Sequence, residues 1–136
     1  MLTITGTLYY RAPEMFTGGG YTEKVDIWSA GILLYKLITG HTPFESEYHS
    51  NTIDNIMNKE LILPSNFERY SPTMRNLVVR MLKKDPRERL SALDCLKDLW
   101  ISSTSSHIFA HQYYFNEEFN EEDAEAMKSP MVDIAD

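Results

Sequence analysis

The spacing of apolar positions changes several times along the chain, and each change marks an element. From Val25 to Thr39, read VDIWSAGILLYKLIT, apolar residues fall on every side of a helical wheel. That pattern predicts a helix buried inside the body rather than lying on its surface. Gly40 follows at once and supplies the left-handed cap that stops it. Asp26 stands among these apolar neighbours. A carboxylate buried there needs a partner, because an unpaired one costs several kcal/mol or is driven to neutralise.

Before this helix, Thr3 to Arg11 carries β-branched and aromatic residues without helical spacing and reads as extended chain. Gly18-Gly19-Gly20 is followed by Tyr21-Thr22 and preceded by a loop. It lacks the Lys-Ser/Thr of a phosphate loop and the strand of a dinucleotide fingerprint, so it reads as a connector. After Gly40 the chain turns through His41-Thr42-Pro43-Phe44, and Asn51 to Lys59 sets Ile53, Ile56 and Met57 on one face of a short amphipathic helix. Ser71-Pro72 starts another helix, with a hydroxyl to cap it and a proline where the missing N–H costs nothing. Its inner face is Met74, Leu77, Val78, Met81 and Leu82; Lys83-Lys84 fall at its negative end, and Pro86 prevents its continuation. Ser91 caps a last helix whose inward face is expected to be Leu93, Leu96, Leu99 and Trp100.

Three groups of residues then carry a resemblance. Ala12-Pro13-Glu14, then Asp26-Ile27-Trp28-Ser29 with Gly31 behind it, then Asp85-Pro86-Arg87-Glu88-Arg89-Leu90, in that order and spacing, resemble the C-terminal lobe of a eukaryotic serine/threonine protein kinase. The nearest group is the calcium/calmodulin-dependent one. The resemblance covers roughly Thr3 to Ile101 and begins inside the activation segment. It implies a mainly α fold: the C-terminal part of the kinase large lobe, comprising the end of the activation segment plus about five helices, with the N-lobe and catalytic-loop region absent. Residues 1–101 are expected to form this lobe portion, and 102–136 an acidic, flexible tail.

The resemblance also assigns roles. Thr7, Leu8, Tyr10 and Arg11 fall in the loop that seats the substrate residue after the phosphate acceptor, with Thr7 matching a threonine that bonds the catalytic aspartate and lysine. Glu14 matches a glutamate in a buried ion pair with an arginine at Arg89. Asp26 matches an aspartate that grips the backbone of the catalytic loop, and Trp28 and Gly31 complete the scaffold. Thr3 falls where an activating phosphothreonine is often carried, and Ser129, before Pro130, is a candidate site for a proline-directed kinase. Lys36 stands where many basic-directed kinases place a glutamate, which speaks against an arginine preference. Leu8-Tyr9-Tyr10-Arg11 departs from the calcium/calmodulin-dependent pattern and is more like proline-directed kinases. Those carry an insertion for which the path from Gly40 to Pro72 has no room.

Phosphoryl transfer rests on positioning and charge neutralisation, yet the sequence holds no G-x-G-x-x-G, no His-Arg-Asp and no Asp-Phe-Gly. No catalytic residue of the family is present, and ATP and magnesium are expected to be held by the parent domain rather than by this chain alone. The expected function is part of a kinase that phosphorylates protein Ser or Thr, with the chain inactive by itself. Its partners would be the protein substrate or the missing kinase half. The alternative is a non-catalytic half-kinase acting as a binding or regulatory module.

Charge narrows the partners. Residues 1–101 hold 12 basic and 12 acidic side chains, and 102–136 hold one lysine against eight carboxylates, so the net −7 lies in the tail. Neither part has the basic footprint that nucleic acid wants, and an acidic tail argues against calmodulin, which takes basic amphipathic helices. No apolar run is long enough to span a bilayer, and the lone Cys95 suits a reducing compartment. A cytoplasmic or nuclear protein is expected. His107 and His111 share a helical spacing, but no motif places a third ligand, so no metal site is expected.

Overall fold

Gly40 ends the longest helix. In the computed structural model, which describes residues 8–103, helix α1 runs Lys24–Thr39, and Gly40 then takes φ 86° and donates its amide to the Lys36 carbonyl. Glycine has no Cβ to clash in that left-handed conformation, which is why the helix stops here. A 3₁₀ turn, Pro13–Phe16, comes before α1. After it come α2, His49–Asn58; a second 3₁₀ turn, Ser65–Arg69; α3, Pro72–Met81; and α4, Ala92–Lys97. Residues 99–103 are again helical, and no strand occurs among the described residues. No described helix is long and apolar enough to cross a membrane.

The chain divides into two units, Met1–Ile101 and Ser102–Asp136, and the elements from the first 3₁₀ turn to α4 belong to the first. Thr3, Thr7, His107, His111, Ser129 and the acidic tail from residue 104 on lie outside the described residues.

The caps follow from local chemistry. Ser71 accepts the Met74 amide at the start of α3, and Ser91 forms a full capping box with Asp94 at the start of α4. The inner face of α1 is Trp28, Gly31, Ile32 and Tyr35. Trp28 stacks on Phe44, ring centres 5.7 Å apart, within a core that also takes Ile56, Phe67, Met74, Val78 and Leu82. A second cluster joins Leu77, Met81, Leu90 and Cys95. Gly31 lets α1 approach the end of α3: a Cβ there would lie 2.9 Å from Leu82 Cδ2 and 3.0 Å from Met81 Cβ.

Four expectations are corrected. In the described part of Thr3 to Arg11, Leu8–Tyr10 turn rather than extend, and the Arg11 amide donates to the Leu8 carbonyl at 3.2 Å. Helix α1 is not buried all round among the described residues, since Asp26, Ala30, Leu33 and Leu37 form an exposed stripe, with Leu33 49% and Leu37 75% exposed. Asp26 is therefore in water and not a buried carboxylate. Leu93, Leu96 and Leu99 point outward at 59%, 68% and 71% exposure, while Cys95 takes the buried position of α4. Lys84 does not serve α3. Its ammonium lies 2.5 Å from the Ile56 carbonyl and 3.4 Å from that of Asn55, at the C-terminal end of α2.

Candidate functional site

The site grows from a turn. The Asp85 carboxylate accepts the Arg87 amide at 2.9 Å, and the Asp85 carbonyl accepts the amides of Glu88 and Arg89, both at 3.1 Å. Hydrogen bonds from the Arg87 side chain and amide hold the Asp85 carboxyl down at about 2. This tight turn, with Pro86 fixing its second residue, aims Arg89 inward.

The Arg89 side chain is wholly buried and fully used. Its guanidinium donates to the Glu14 carboxylate oxygens at 2.6 and 2.9 Å. It also donates to the carbonyls of Lys83 at 2.8 Å, Lys24 at 3.0 Å and Lys84 at 3.2 Å. The fork geometry of arginine suits this two-oxygen contact. Lys24 returns a bond from its ammonium to the Arg89 carbonyl at 2.7 Å, and the guanidinium carbon lies 5.1 Å from the Trp28 ring centre. Burial opposes ionisation of Glu14, but the Arg89 hydrogen bonds and charge win and hold its carboxyl below the ordinary value. One arginine thus ties together the first 3₁₀ turn, the start of α1 and the loop after α3.

The segment Leu8–Arg11 rests on this assembly. Its residues are half-buried and Ala12 is fully buried. The Ser29 hydroxyl donates to the Tyr10 carbonyl at 2.8 Å, fixing the loop's main chain to α1. Lys36, further along the same helix, places its ammonium 5.9 Å from the centre of the Tyr10 ring.

Of the residues singled out in the sequence, Glu14, Trp28 and Arg89 come together around one buried guanidinium, and Tyr10 is bonded to α1 beside them. Gly31 is buried against α3. Asp26 is exposed, and no hydrogen bond or ion pair reaches its carboxylate among the described residues. Ser29, Lys24 and Lys84 gave no sequence signal for their contacts, since each is a common surface residue until the fold brings a distant carbonyl to it.

Among the described residues no group of three His, Cys, Asp or Glu side chains is placed to hold a metal. Cβ atoms added to Gly18, Gly19 and Gly20 would meet nothing within 4 Å, so no close backbone approach explains these glycines.

A mainly helical body locked by a buried glutamate–arginine pair between two distant loops defines a scaffold, and comparison gives its family. The chain belongs to the protein kinase domain family, whose sequence profile matches residues 1–101. It is 35% identical over 99 residues to an Aurora kinase of Dictyostelium discoideum, covering 73% of this chain and 25% of that protein. It is 41% identical over 90 residues to the serine/threonine protein kinase ypkA of Aspergillus fumigatus, covering 66% of this chain and 14% of that protein. Phototropin-1A of Oryza sativa subsp. japonica is 39% identical over 92 residues, 68% of this chain and 10% of that protein. Among solved structures, the twitchin kinase region from C. elegans matches with a TM-score of 0.67 and 30% identity, over 71% of this chain and 17% of that one. The chain thus spans a quarter or less of the length of these relatives. Protein kinase domains use ATP and magnesium as a family property.

Proposed function

We propose that this chain supplies the substrate-side platform and the helical scaffold of the large lobe of a serine/threonine protein kinase. The parent domain transfers phosphate from ATP to Ser or Thr of a protein substrate. The observation that carries the proposal is the Glu14–Arg89 pair at 2.6 Å, which holds the loop after Leu8–Arg11 against a turn 75 residues away. In this reading Leu8, Tyr10 and Arg11, with Thr7 before them, seat the substrate. Asp26, exposed on α1, grips the catalytic loop supplied by the parent domain. The subgroup is proposed as calcium/calmodulin-dependent-like, supported by the short Gly40 to Pro72 path, which holds only α2 and a 3₁₀ turn. The chain by itself is inactive, since no glycine-rich cover, His-Arg-Asp or Asp-Phe-Gly stands in its sequence. Incubating the purified chain with labelled ATP, magnesium and a Ser/Thr peptide tests this: no transfer is expected, and substrate-dependent turnover overturns the division of labour.

One observation favours a second reading, a half-kinase that binds rather than catalyses. Leu33 and Leu37 are exposed on α1, and an exposed apolar stripe is a surface for a partner. A defined complex with an upstream kinase half, formed without phosphate transfer, would support that reading over the first.

A further inference from the structure

Tyr10 is held at two points by one helix. Ser29 takes its carbonyl at 2.8 Å, and Lys36, roughly two turns on, lies over its ring at 5.9 Å. The hydrogen bond fixes the backbone of the loop, and the ring contact sets where the lysine ammonium stands relative to it. A cation over a ring at an exposed position is oriented but hardly neutralised. Lys36 is exposed and makes no ion pair among the described residues.

The carboxylate best able to answer it is already engaged. Glu45 accepts the Thr42 hydroxyl at 2.6 Å and the Thr42 amide at 3.1 Å. Burial works against its ionisation, but those two bonds and the charges of His41 and Lys36 hold its carboxyl below the ordinary value. Glu45 therefore closes its own turn after α1. The loop Leu8–Arg11 contributes no carboxylate and adds a second cation, Arg11. The rim around Tyr10 thus presents an oriented positive charge with capacity left over.

We propose that Lys36 is a specificity-determining residue: it selects protein substrates that carry an aspartate or glutamate close to the phosphate-accepting serine or threonine. The proposal rests on reading Leu8–Arg11 as the substrate-seating loop. An acidic side chain gains a partner at Lys36, while an arginine there meets like charge, and such juxtaposition decides between partners more than it adds affinity.

The test uses the whole 136-residue chain and three labelled peptides, alike except that the serine is flanked by glutamate, alanine or arginine. Binding is read by fluorescence anisotropy at low salt. The glutamate peptide is expected to bind about five- to tenfold tighter than the arginine peptide, a margin that shrinks as salt rises. Lys36→Glu inverts that order and Lys36→Met abolishes the preference, both with an unchanged melting temperature because the side chain is exposed. Equal binding of all three peptides, or an order unaffected by Lys36→Glu, overturns the role of Lys36 and leaves the seating loop standing. Failure of every peptide to bind overturns both.

Discussion

Arg89 and Glu14 face each other fork to fork, with both carboxylate oxygens taken at 2.6 and 2.9 Å by a guanidinium that has no exposed surface. Removing one member leaves the other charged in a dry site, so Glu14→Ala is expected to destabilise the unit by about 3 to 5 kcal/mol. Arg89→Ala should cost more than Glu14→Ala, because Arg89 also satisfies the carbonyls of Lys24, Lys83 and Lys84. Urea melts of the two variants and of the double variant check this. Losses that add independently would mean that the two side chains do not act as a pair.

The same pair sets an acid limit. The Glu14 carboxyl lies below its ordinary value of 4.5 in the folded chain, so it contributes stability that is complete above about pH 4.5 and is lost as pH falls through the lower folded value. Glu14→Gln should flatten the acid limb of a stability-against-pH curve. An unchanged limb in that variant would assign the acid loss to other carboxylates.

Gly31 tests the packing of α1 on α3. Alanine is the better helix former, yet its Cβ would lie 2.9 Å from Leu82 Cδ2 and 3.0 Å from Met81 Cβ. Gly31→Ala is therefore expected to destabilise by about 1 to 3 kcal/mol, and Leu82→Ala in the same chain should relieve part of that clash. Thermal melts of the single and double variants decide it, and a stabilised Gly31→Ala would show that α3 yields freely.

How much of this was legible in the sequence depends on where each residue's partner lies. Ser71, Ser91 and Gly40 act within a few residues of themselves, so their spacing alone located the helix ends. The three kinase-like groups were legible because each is contiguous, and together they located the family. The faces were not. The run from Val25 to Thr39 shows which residues are apolar but not which side is covered, and Leu33 and Leu37 fall on the uncovered side. In α4 the spacing of Leu93, Leu96 and Leu99 marked a face without saying what lies against it, while Cys95 turned inward. Ser29 and Lys84 reach carbonyls 19 and 28 residues away, and no local pattern encodes such a pairing.

The exposed leucines make a prediction of their own. Leu33 and Leu37 on α1, with Leu93 and Leu96 on α4, should bind a hydrophobic dye or drive self-association of the isolated chain. Leu33→Lys with Leu37→Lys should lower dye fluorescence without lowering the melting temperature. Undiminished dye binding would place the sticky surface elsewhere.

Lys84 gives an alkaline signature. Its ammonium lies 4.1 Å from the Phe44 ring centre and 5.5 Å from that of Trp28, and burial pushes it from 10.5 down to about 8. The unfolded chain then holds this proton more tightly, so stability from this group should rise with pH between about 8 and 10.5. Lys84→Met should remove that rise, as read by urea midpoints across the range. A rise that persists in the variant would exclude Lys84 as its source.

The central claim is that residues 1–101 form the substrate-side part of a serine/threonine kinase. Its most direct test is phosphate transfer by this chain placed in frame behind a kinase segment running from the glycine-rich loop through Asp-Phe-Gly. The account predicts labelled phosphoserine or phosphothreonine on a protein substrate, lost in Glu14→Ala. A folded fusion that binds ATP yet transfers nothing to Ser or Thr would contradict it.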